Sequence, residues 1–488
     1  MSNGCKTVLL CVLICALASL FDAGLLVRLV LEFVTLAAIL WTMIFGRALA
    51  HPAEALIVSW AIPWSSHFLH LFYFGHDWPQ KPLLYVAMFL GSYLLGFYLD
   101  PETGKARGGL RKSTEILRPH SIQGSTRIYD LCAVLGCVSA FAALRWGVSS
   151  IGGVYQDLGA VRDAFTSNPN VSAWAYVVLL TSPGGIIAYV AALLYQEELS
   201  SLRRLSYILA GFLTVTSGVV QAGRYMAVLV TGLTLICMAL RRRARKRVIA
   251  DKRLAWMLAA IVTVLAAYML ILPSLRDTRG RADYAAYASK SVGVEVDDGL
   301  QAPLTQMNST LRVALYASYA YLAMPLENVR IFYEVYSGTP AYGGLEESLI
   351  ARQMKRVFPQ IKAGMDILEE RYEENAAAGE ASTSWQTMAR DAVIDFGWSG
   401  ALIFAFVLGL LGRVVFRNAI SSGSIRSVFA LVALCFISFH SIMYSIIGDL
   451  NILVLLGWGW ILSWAKVGFP TLPDFQARSH QDSILPNN

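Results

Sequence analysis

The sequence predicts an all-α polytopic membrane protein with about twelve transmembrane helices. Charged residues make up only 15% of its 488 residues, whereas soluble domains carry roughly 25%. The mean hydropathy is +0.53. The apolar residues also form runs of roughly 17–23 residues, the length that crosses a hydrocarbon core of about 30 Å at about 1.5 Å per residue. A helical bundle embedded in lipid fits all three observations.

The apolar runs place the helices along the chain. We predict helices at approximately residues 6–21, 25–45, 53–73, 82–99, 129–149, 171–195, 205–222, 224–240, 254–273, 397–416, 427–447 and 450–467. The first run follows Lys6 and contains Ala16-Leu17-Ala18, a pattern that also fits a signal peptide with a cleavage site. Because a second apolar run begins at Leu25, we favour an uncleaved first helix.

Basic residues are divided unequally between the two sides of the predicted bundle. With the N-terminus inside, the short cytoplasmic loops hold about twenty lysines and arginines, many of them in residues 105–127 and 241–253. The short loops on the other side carry only Lys81, Arg162 and Arg224. Cytoplasmic loops are enriched in Lys and Arg, so the pattern predicts that both termini are cytoplasmic.

One long polar segment, from about residue 274 to 396, interrupts the series of helices and lies outside by the same topology. Leu311 to Leu322 has the spacing of an amphipathic helix, so we expect a largely helical loop. Structured loops of this length usually carry function. The predicted organisation is transmembrane helices one to nine (1–273), a large extracytoplasmic loop (274–396), helices ten to twelve (397–467) and a cytoplasmic tail (468–488).

The composition also excludes some classes of function. The net charge of +7 reflects basic residues in short loops, as the positive-inside rule requires, so we expect no nucleic-acid partner. The seven cysteines form no CxxC pair, and we expect neither a disulfide framework nor a metal site. The chain contains no GxxxxGK[ST], HExxH or GxSxG motif. Direct use of ATP is therefore not expected, and an activated substrate would have to supply the energy.

Arginines at the predicted outer face are the first candidates for a binding site. Ionisable groups beside apolar runs are costly and need partners, and Arg suits bidentate binding of phosphate oxygens. The candidates near this face are Arg162, Arg224, Arg276, Arg279, Arg281, Arg330 and Arg390. One interpretation is a site for a lipid-linked diphosphate at the outer leaflet. The other is contact with lipid headgroups together with structural salt bridges.

Two further groups of polar residues border the last helices. His440 and Tyr444 are four residues apart and share one face near the outer end of helix eleven. His440 is a candidate general base or oxygen-orienting donor, or it satisfies a neighbouring helix. Asp391 precedes helix ten and either pairs with an arginine or acts as a base, whereas Asp395 fits a helix N-cap.

Three short motifs resemble those of a known family. Ala222-Gly223-Arg224 leads into a helix, Tyr321-Leu-Ala-Met-Pro-Leu-Glu-Asn328 lies in the outer loop, and Asp395-Phe-Gly-Trp-Ser-Gly400 opens a helix that contains Gly409 and Gly412. With the large outer loop before the last three helices, they resemble the bacterial oligosaccharide repeat-unit polymerases of the O-antigen polymerase (Wzy) type. The resemblance covers roughly residues 130 to 465.

The resemblance implies a GT-C-like membrane glycosyltransferase in the bacterial inner membrane, active in lipopolysaccharide or exopolysaccharide synthesis. Such an enzyme transfers a glycan from undecaprenyl diphosphate to a sugar hydroxyl of another lipid-linked repeat unit at the periplasmic face. Arg224 and the cluster Arg276, Arg279 and Arg281 would bind the diphosphate, with Asn328 in the outer-loop motif also at the substrate. The base would be Asp391 or His440. No cofactor or metal is implied. The partners implied are the lipid-linked oligosaccharide, membrane lipids, a chain-length regulator and a flippase.

Two alternatives come from other classes. A flippase or other transporter for lipid-linked oligosaccharides would also have about twelve helices, but transporters commonly show repeated halves and short outer loops. An O-antigen-type ligase has a similar architecture and differs from a polymerase only in its acceptor. We therefore order the hypotheses as polymerase, ligase and transporter.

Overall fold

The computed structural model describes residues 1–21, 23–69, 72–74, 80–99, 126–151, 173–220, 225–244, 260–261, 263–265, 267, 294–296, 298–308, 312, 325–326, 329, 332–333, 387–443, 446–447 and 449–468. The helices in these ranges are α1 (Asn3–Leu20), α2 (Leu25–Phe45), α3 (Pro52–Leu69), α4 (Gln80–Tyr98), α5 (Thr126–Ile151), α6 (Ala173–Leu194), α7 (Ser201–Val220), α8 (Tyr225–Arg243), α9 (Asp298–Gln306), α10 (Met388–Ser422), α11 (Ile425–His440) and α12 (Leu450–Gly468). A 3-10 turn, Ala48–Ala50, precedes α3, and two short strands are β1 (Phe72–Phe74) and β2 (Val294–Val296).

The length and hydropathy of these helices show an α-helical membrane protein. Within the described ranges, six helices are long and apolar enough to cross a bilayer, namely α1, α2, α5, α6, α8 and α10. Two shorter apolar helices, α11 and the first part of α12, lie among them. Large apolar side chains of α1 and α2, such as Leu10, Leu26 and Phe33, are exposed on the outside of the bundle. Lipid is the solvent that accommodates such a surface.

Most of the predicted helices are present, and three boundaries need correction. The helix predicted at 53–73 ends at Leu69, because the apolar residues Phe72–Phe74 pair with β2 instead of continuing the helix. The helix predicted at 397–416 begins at Met388, where Thr387 caps it. The helix predicted at 427–447 ends at His440. Most of the helix predicted at 254–273 and of the segment Leu311 to Leu322 lies outside the described residues.

Two helices form the centre of the bundle. The side chains of α6 from Ile186 to Leu194 are almost completely buried, and so are those of α11 from Leu431 to Ile437. The first of these helices packs against α5, α7, α8 and α12, and the second against α3, α8, α10 and α12. These two helices therefore occupy the interior, while α1 and α2 expose large apolar side chains to lipid.

The antiparallel strands connect the large loop to the bundle. Phe72 pairs with Val296, and Phe74 pairs with Val294. The first strand immediately follows α3, whereas the second belongs to the segment that precedes α9. The described part of the large loop is therefore attached to the helices by main-chain hydrogen bonds.

Arginines occupy the end of the bundle at which α2, α6 and α8 terminate, here called the basic end. Arg241 donates to the Leu194 carbonyl at 2.8 Å and pairs with Glu197. Arg413 donates to the Leu99 carbonyl at 2.9 Å. These guanidiniums satisfy carbonyls that helix C-termini leave without intrahelical partners. The opposite end, where α8 and α10 begin and α11 ends, is here called the site end.

A half-buried histidine caps α3 at the basic end. The Nδ1 atom of His51 accepts a hydrogen bond from the Glu54 N–H at 3.4 Å. Its ring lies against Phe97 and Phe416, with centroid distances of 4.7 and 4.5 Å. Burial, reinforced by the positive charge of Arg243, lowers the pKa of His51 to about 3. The folded protein therefore holds this side chain neutral.

Protonation of His51 is expected to destabilise the protein in acid. The unfolded chain binds a proton near pH 6.5 and the folded chain only near pH 3, so stability falls by about 1.4 kcal/mol per pH unit below about 6.5. We expect the Tm in detergent to fall between pH 7 and pH 5, and to fall less in His51→Asn, which keeps a capping acceptor. Equal pH dependence in the two proteins would contradict this account.

The interface between α4 and α10 depends on glycines that allow close contact. A Cβ atom added at Gly409 would overlap the Tyr93 carbonyl oxygen, and one added at Gly96 would overlap the Phe406 carbonyl oxygen. Small residues at such positions let helix backbones approach in lipid, where van der Waals contact drives association. The two helices can therefore pack tightly along their shared length.

We expect Gly409→Ala to destabilise the folded protein by about 1–3 kcal/mol, because the added methyl group overpacks a backbone contact. Gly91→Ala in α4 is the matched control, since a Cβ atom there has open space around it. Thermal melts in detergent, followed by size-exclusion chromatography, measure the difference. Identical Tm values for the two variants would show that the interface accommodates the added methyl group without loss of stability.

Candidate functional site

A buried ion pair opens α10 at the site end. Arg390 is 0% exposed and Asp391 6%. A guanidinium nitrogen, Nη1 of Arg390, donates to Oδ1 of Asp391 at 3.3 Å. Thr387 is the N-cap of this helix, because its hydroxyl accepts from the Arg390 N–H at 3.2 Å. The carboxylate in the first turn also complements the positive end of the helix dipole.

The large loop contributes aromatic residues to the same place. The guanidinium carbon of Arg390 lies 5.3 Å from the centroid of the Phe332 ring, within cation–π range. The neighbouring residue Tyr333 contacts Trp398 with a ring distance of 4.8 Å, and Tyr85 of α4 contacts Trp398 at 4.6 Å. Two loop residues thus cover the beginning of α10 and bury its arginine.

A break divides α10 just after this ion pair. Gly397 has φ 70° and ψ 174°, a conformation that glycine alone adopts readily. A short segment, 388–396, therefore precedes the long membrane-spanning part of the helix. Asp395 is buried inside the short segment, 1% exposed. Thr387, and not Asp395, is the N-cap at the start of α10, and Asp395 lies within the short segment that ends at the break.

The end of α11 meets the beginning of α10. The Met388 N–H donates to the Ser441 carbonyl oxygen at 2.9 Å. His440, which precedes that serine, is 1% exposed and lies at the last residue of α11. Its ring meets Tyr225 edge to face at 5.9 Å. Since Tyr225 is the first residue of α8, three helix ends converge at this point.

Asp449, which was not among the residues predicted from the sequence, also belongs to this region. Its Oδ1 atom accepts the Asn451 N–H at 2.8 Å and the Ile452 N–H at 3.3 Å, which makes it the N-cap of α12. Burial raises the pKa of Asp449, while the Tyr225 hydroxyl and these amides favour its charged form. A carboxylate directly before an apolar run was the signal that could have revealed it.

The structure brings together three of the predicted site residues. Arg390, Asp391 and His440 lie at the site end, linked through the contact between Met388 and Ser441. The predicted residues that lie outside the described ranges are Tyr444, Arg162, Arg224, Arg276, Arg279, Arg281, Asn328 and Arg330. Among these, Arg224 is the chain neighbour of Tyr225, whose ring contacts His440.

The chemical properties of the cluster follow from its groups. A buried guanidinium can bind an anion, and a carboxylate or an imidazole can accept a proton. The described residues contain no group of three or more His, Cys, Asp or Glu side chains that could hold a metal ion. The arrangement therefore fits acid–base chemistry on an anionic substrate at the end of a helical bundle.

No protein-family model, curated protein or solved structure matches the chain. Its own geometry defines the class: an α-helical membrane protein with a buried Arg–Asp pair at the start of a broken helix.

Removing one partner of the buried pair is expected to lower the free energy of unfolding more than removing both partners. Asp391→Asn removes the carboxylate that Nη1 of Arg390 contacts while the guanidinium stays buried, and breaking a buried pair on one side typically costs about 3–5 kcal/mol. The double variant Arg390→Met with Asp391→Asn removes that charge, so we expect its Tm to exceed that of Asp391→Asn alone. Thermal melts of both single variants and the double variant complete the cycle. Additive losses would show that the two side chains are not coupled.

Proposed function

We propose that the protein is a membrane glycosyltransferase that polymerises polyprenyl-diphosphate-linked oligosaccharide repeat units. The observation that carries this proposal is the buried Arg390–Asp391 pair, joined to the His440 turn by the Met388–Ser441 hydrogen bond. Basic, acidic and imidazole groups then lie buried at one end of the bundle, where Phe332 and Tyr333 of the large loop pack against the start of α10. The full protein has about twelve spans and a GT-C-like fold in this proposal.

The position of the site relative to the arginines supports an extracytoplasmic reaction. The basic end holds Arg241 and Arg413, bound to main-chain carbonyls. By the positive-inside rule this end faces the cytoplasm, so the site end faces the periplasm of a bacterial inner membrane and both termini are cytoplasmic. A polymer assembled at that face needs a substrate that arrives activated on a lipid carrier.

The proposed reaction is a single glycosyl transfer. The hydroxyl oxygen of the acceptor sugar attacks the anomeric carbon of the donor, and a new glycosidic bond forms. The bond between that carbon and the diphosphate oxygen breaks, and undecaprenyl diphosphate leaves with the bonding electrons. The acceptor proton passes to Asp391 or His440 as general base.

Arginine provides the stabilisation that this leaving group needs. Negative charge grows on the diphosphate as the bond breaks, and preorganised cations lower the energy of that state. Arg390 is held in place by Asp391 and Phe332, and Arg224 directly precedes Tyr225 in the sequence. We assign the outer arginines Arg162, Arg276, Arg279, Arg281 and Arg330, together with Asn328, to the same substrate. Partners in this role are a flippase that delivers the substrate and a chain-length regulator.

A transporter of lipid-linked oligosaccharides is the second candidate, and the break at Gly397 favours it. Transporters often bind anionic substrates at the ends of discontinuous helices. In this chain the break lies next to the site end, where it also suits an enzyme that must present an arginine to a headgroup. A ligase would use the same chemistry with a different acceptor.

The test is to incubate the purified protein with a synthetic polyprenyl-diphosphate repeat unit, without nucleotide or metal, and to resolve the products by size. A ladder of oligomers would support the polymerase and dispose of the transporter. Failure with the correct repeat unit and folded protein would overturn the polymerase. A lipid-A acceptor and a liposome flipping assay would then separate ligase from transporter.

We expect Arg224→Ala and Arg276→Ala to reduce the ladder at least about 100-fold, the usual effect of losing a group that stabilises developing charge. Arg145→Ala is the matched control, because Arg145 lies towards the site end of α5 but is exposed. All three variants should insert normally. Wild-type activity in both Arg224→Ala and Arg276→Ala would refute the diphosphate site.

A further inference from the structure

Ser441 joins the two parts of the candidate site, and its side chain is held from another helix. Its carbonyl oxygen accepts the Met388 N–H at 2.9 Å. Its hydroxyl accepts from the indole Nε1 of Trp60 at 2.8 Å and donates to the Ser438 carbonyl at 2.7 Å. All of these residues are at most 1% exposed. Ser441 therefore links α10 to α3: its carbonyl bonds to Met388 and its hydroxyl bonds to Trp60.

The Met388 N–H is a group that α10 cannot satisfy by itself. The first N–H groups of a helix have no intrahelical partner, and the Thr387 hydroxyl is bonded to the Arg390 N–H. In a membrane such a group needs another acceptor, because water is absent. The Ser441 carbonyl supplies it. The position of this carbonyl thus fixes where α10 begins, and with it the positions of Arg390 and Asp391 in the first turn.

The Ser441 carbonyl in turn depends on the turn that follows α11. His440 is the last residue of that helix, and the Met443 N–H bonds back to its carbonyl at 2.8 Å. The Trp60 indole reaches this turn from α3, which is 381 residues away in sequence. An additional contact from α3, the Ser59 hydroxyl to the Ser438 carbonyl at 3.4 Å, lies beside it.

We propose that Trp60 and Ser441 are positioning residues for the site: the indole fixes the turn after α11, and the turn fixes His440 relative to Arg390 and Asp391. This inference rests on the proposed function for its effect on turnover. The structural claim, that Trp60 holds the turn that accepts the Met388 N–H, does not depend on the proposed function, because it is tested by hydrogen–deuterium exchange of that amide. Displacement of a reacting group by about 1 Å can cost about 100-fold in rate.

Trp60→Phe is the test variant, and Tyr189→Phe is the matched control. The first loses the donor to Ser441, whose hydroxyl still bonds to the Ser438 carbonyl. The second loses the bond between the Tyr189 hydroxyl and Thr234, at 2.6 Å, and that threonine still bonds to the Val230 carbonyl. Each substitution removes one buried hydrogen bond and leaves a satisfied hydroxyl. Because Trp60→Phe also removes part of a fully buried ring, Ser441→Ala, which removes the same bond without that loss of volume, is measured beside it.

Hydrogen–deuterium exchange measures the structural part without any substrate. We expect Trp60→Phe to speed exchange of the Met388 amide at least 10-fold, whereas Tyr189→Phe leaves it unchanged. Equal exchange in wild type and Trp60→Phe would overturn the proposal. This readout holds even if the protein makes no ladder, so failure of the polymerase hypothesis and failure of the positioning hypothesis are distinguishable.

If the wild type makes a ladder, kinetics test the second part. We expect Trp60→Phe and Ser441→Ala to lower kcat by 10-fold to 100-fold with little change in KM. Ser441→Thr keeps the hydroxyl and should restore turnover, and Tyr189→Phe should retain wild-type kcat. The double variant of Trp60→Phe and Ser441→Ala should be no slower than Ser441→Ala alone. Unchanged kcat in both single variants, or an equal loss in Tyr189→Phe, would overturn the positioning role.

Discussion

Within lipid the buried main-chain polar groups of this bundle depend on other groups of the protein, and the Met388–Ser441 hydrogen bond is where that constraint shapes the site. A helix that starts within the bundle exposes N–H groups that need acceptors. Thr387 supplies one acceptor and the end of α11 supplies the other. The same bond that completes α10 therefore places its charged first turn beside His440. In this protein the hydrogen bond that gives the Met388 N–H its acceptor also brings the candidate site residues together.

The interface between α4 and α10 holds the long part of α10, which follows that first turn. At the site end the Tyr85 hydroxyl donates to the Trp398 carbonyl at 3.3 Å. At the basic end Arg413 donates to the Leu99 carbonyl, and between these points glycine allows backbone contact. Since Trp398 follows the break at Gly397, the long part of α10 is fixed on one side of that break. The short segment that carries Arg390 is fixed on the other side by Ser441 and Phe332.

The sequence predicted the parts of this structure that depend on hydropathy and little of what depends on specific contacts. Runs of apolar residues located most helices, because spanning lipid requires them. They did not locate the start of α10, since residues 388–396 are too polar to resemble a span and are stabilised by Thr387 and Ser441. The sequence singled out Arg390, Asp391 and His440 because a charge or an imidazole near lipid is conspicuous. Trp60 was not, because an aromatic residue in an apolar helix gives no sign of its hydrogen-bond partner. Asp449 was overlooked although its position before an apolar run made it visible.

The two ends of the bundle use arginine in opposite electrostatic settings. At the basic end Arg241 and Arg413 lie near helix C-termini, where carbonyls and the negative end of the helix dipole favour a cation. Arg390 instead lies in the first turn of α10, where the dipole disfavours a cation and favours an anion. Asp391 offsets the unfavourable setting. A guanidinium and a helix N-terminus at the same place both attract negative charge. This combination suits the proposed diphosphate, whose charge increases during the reaction.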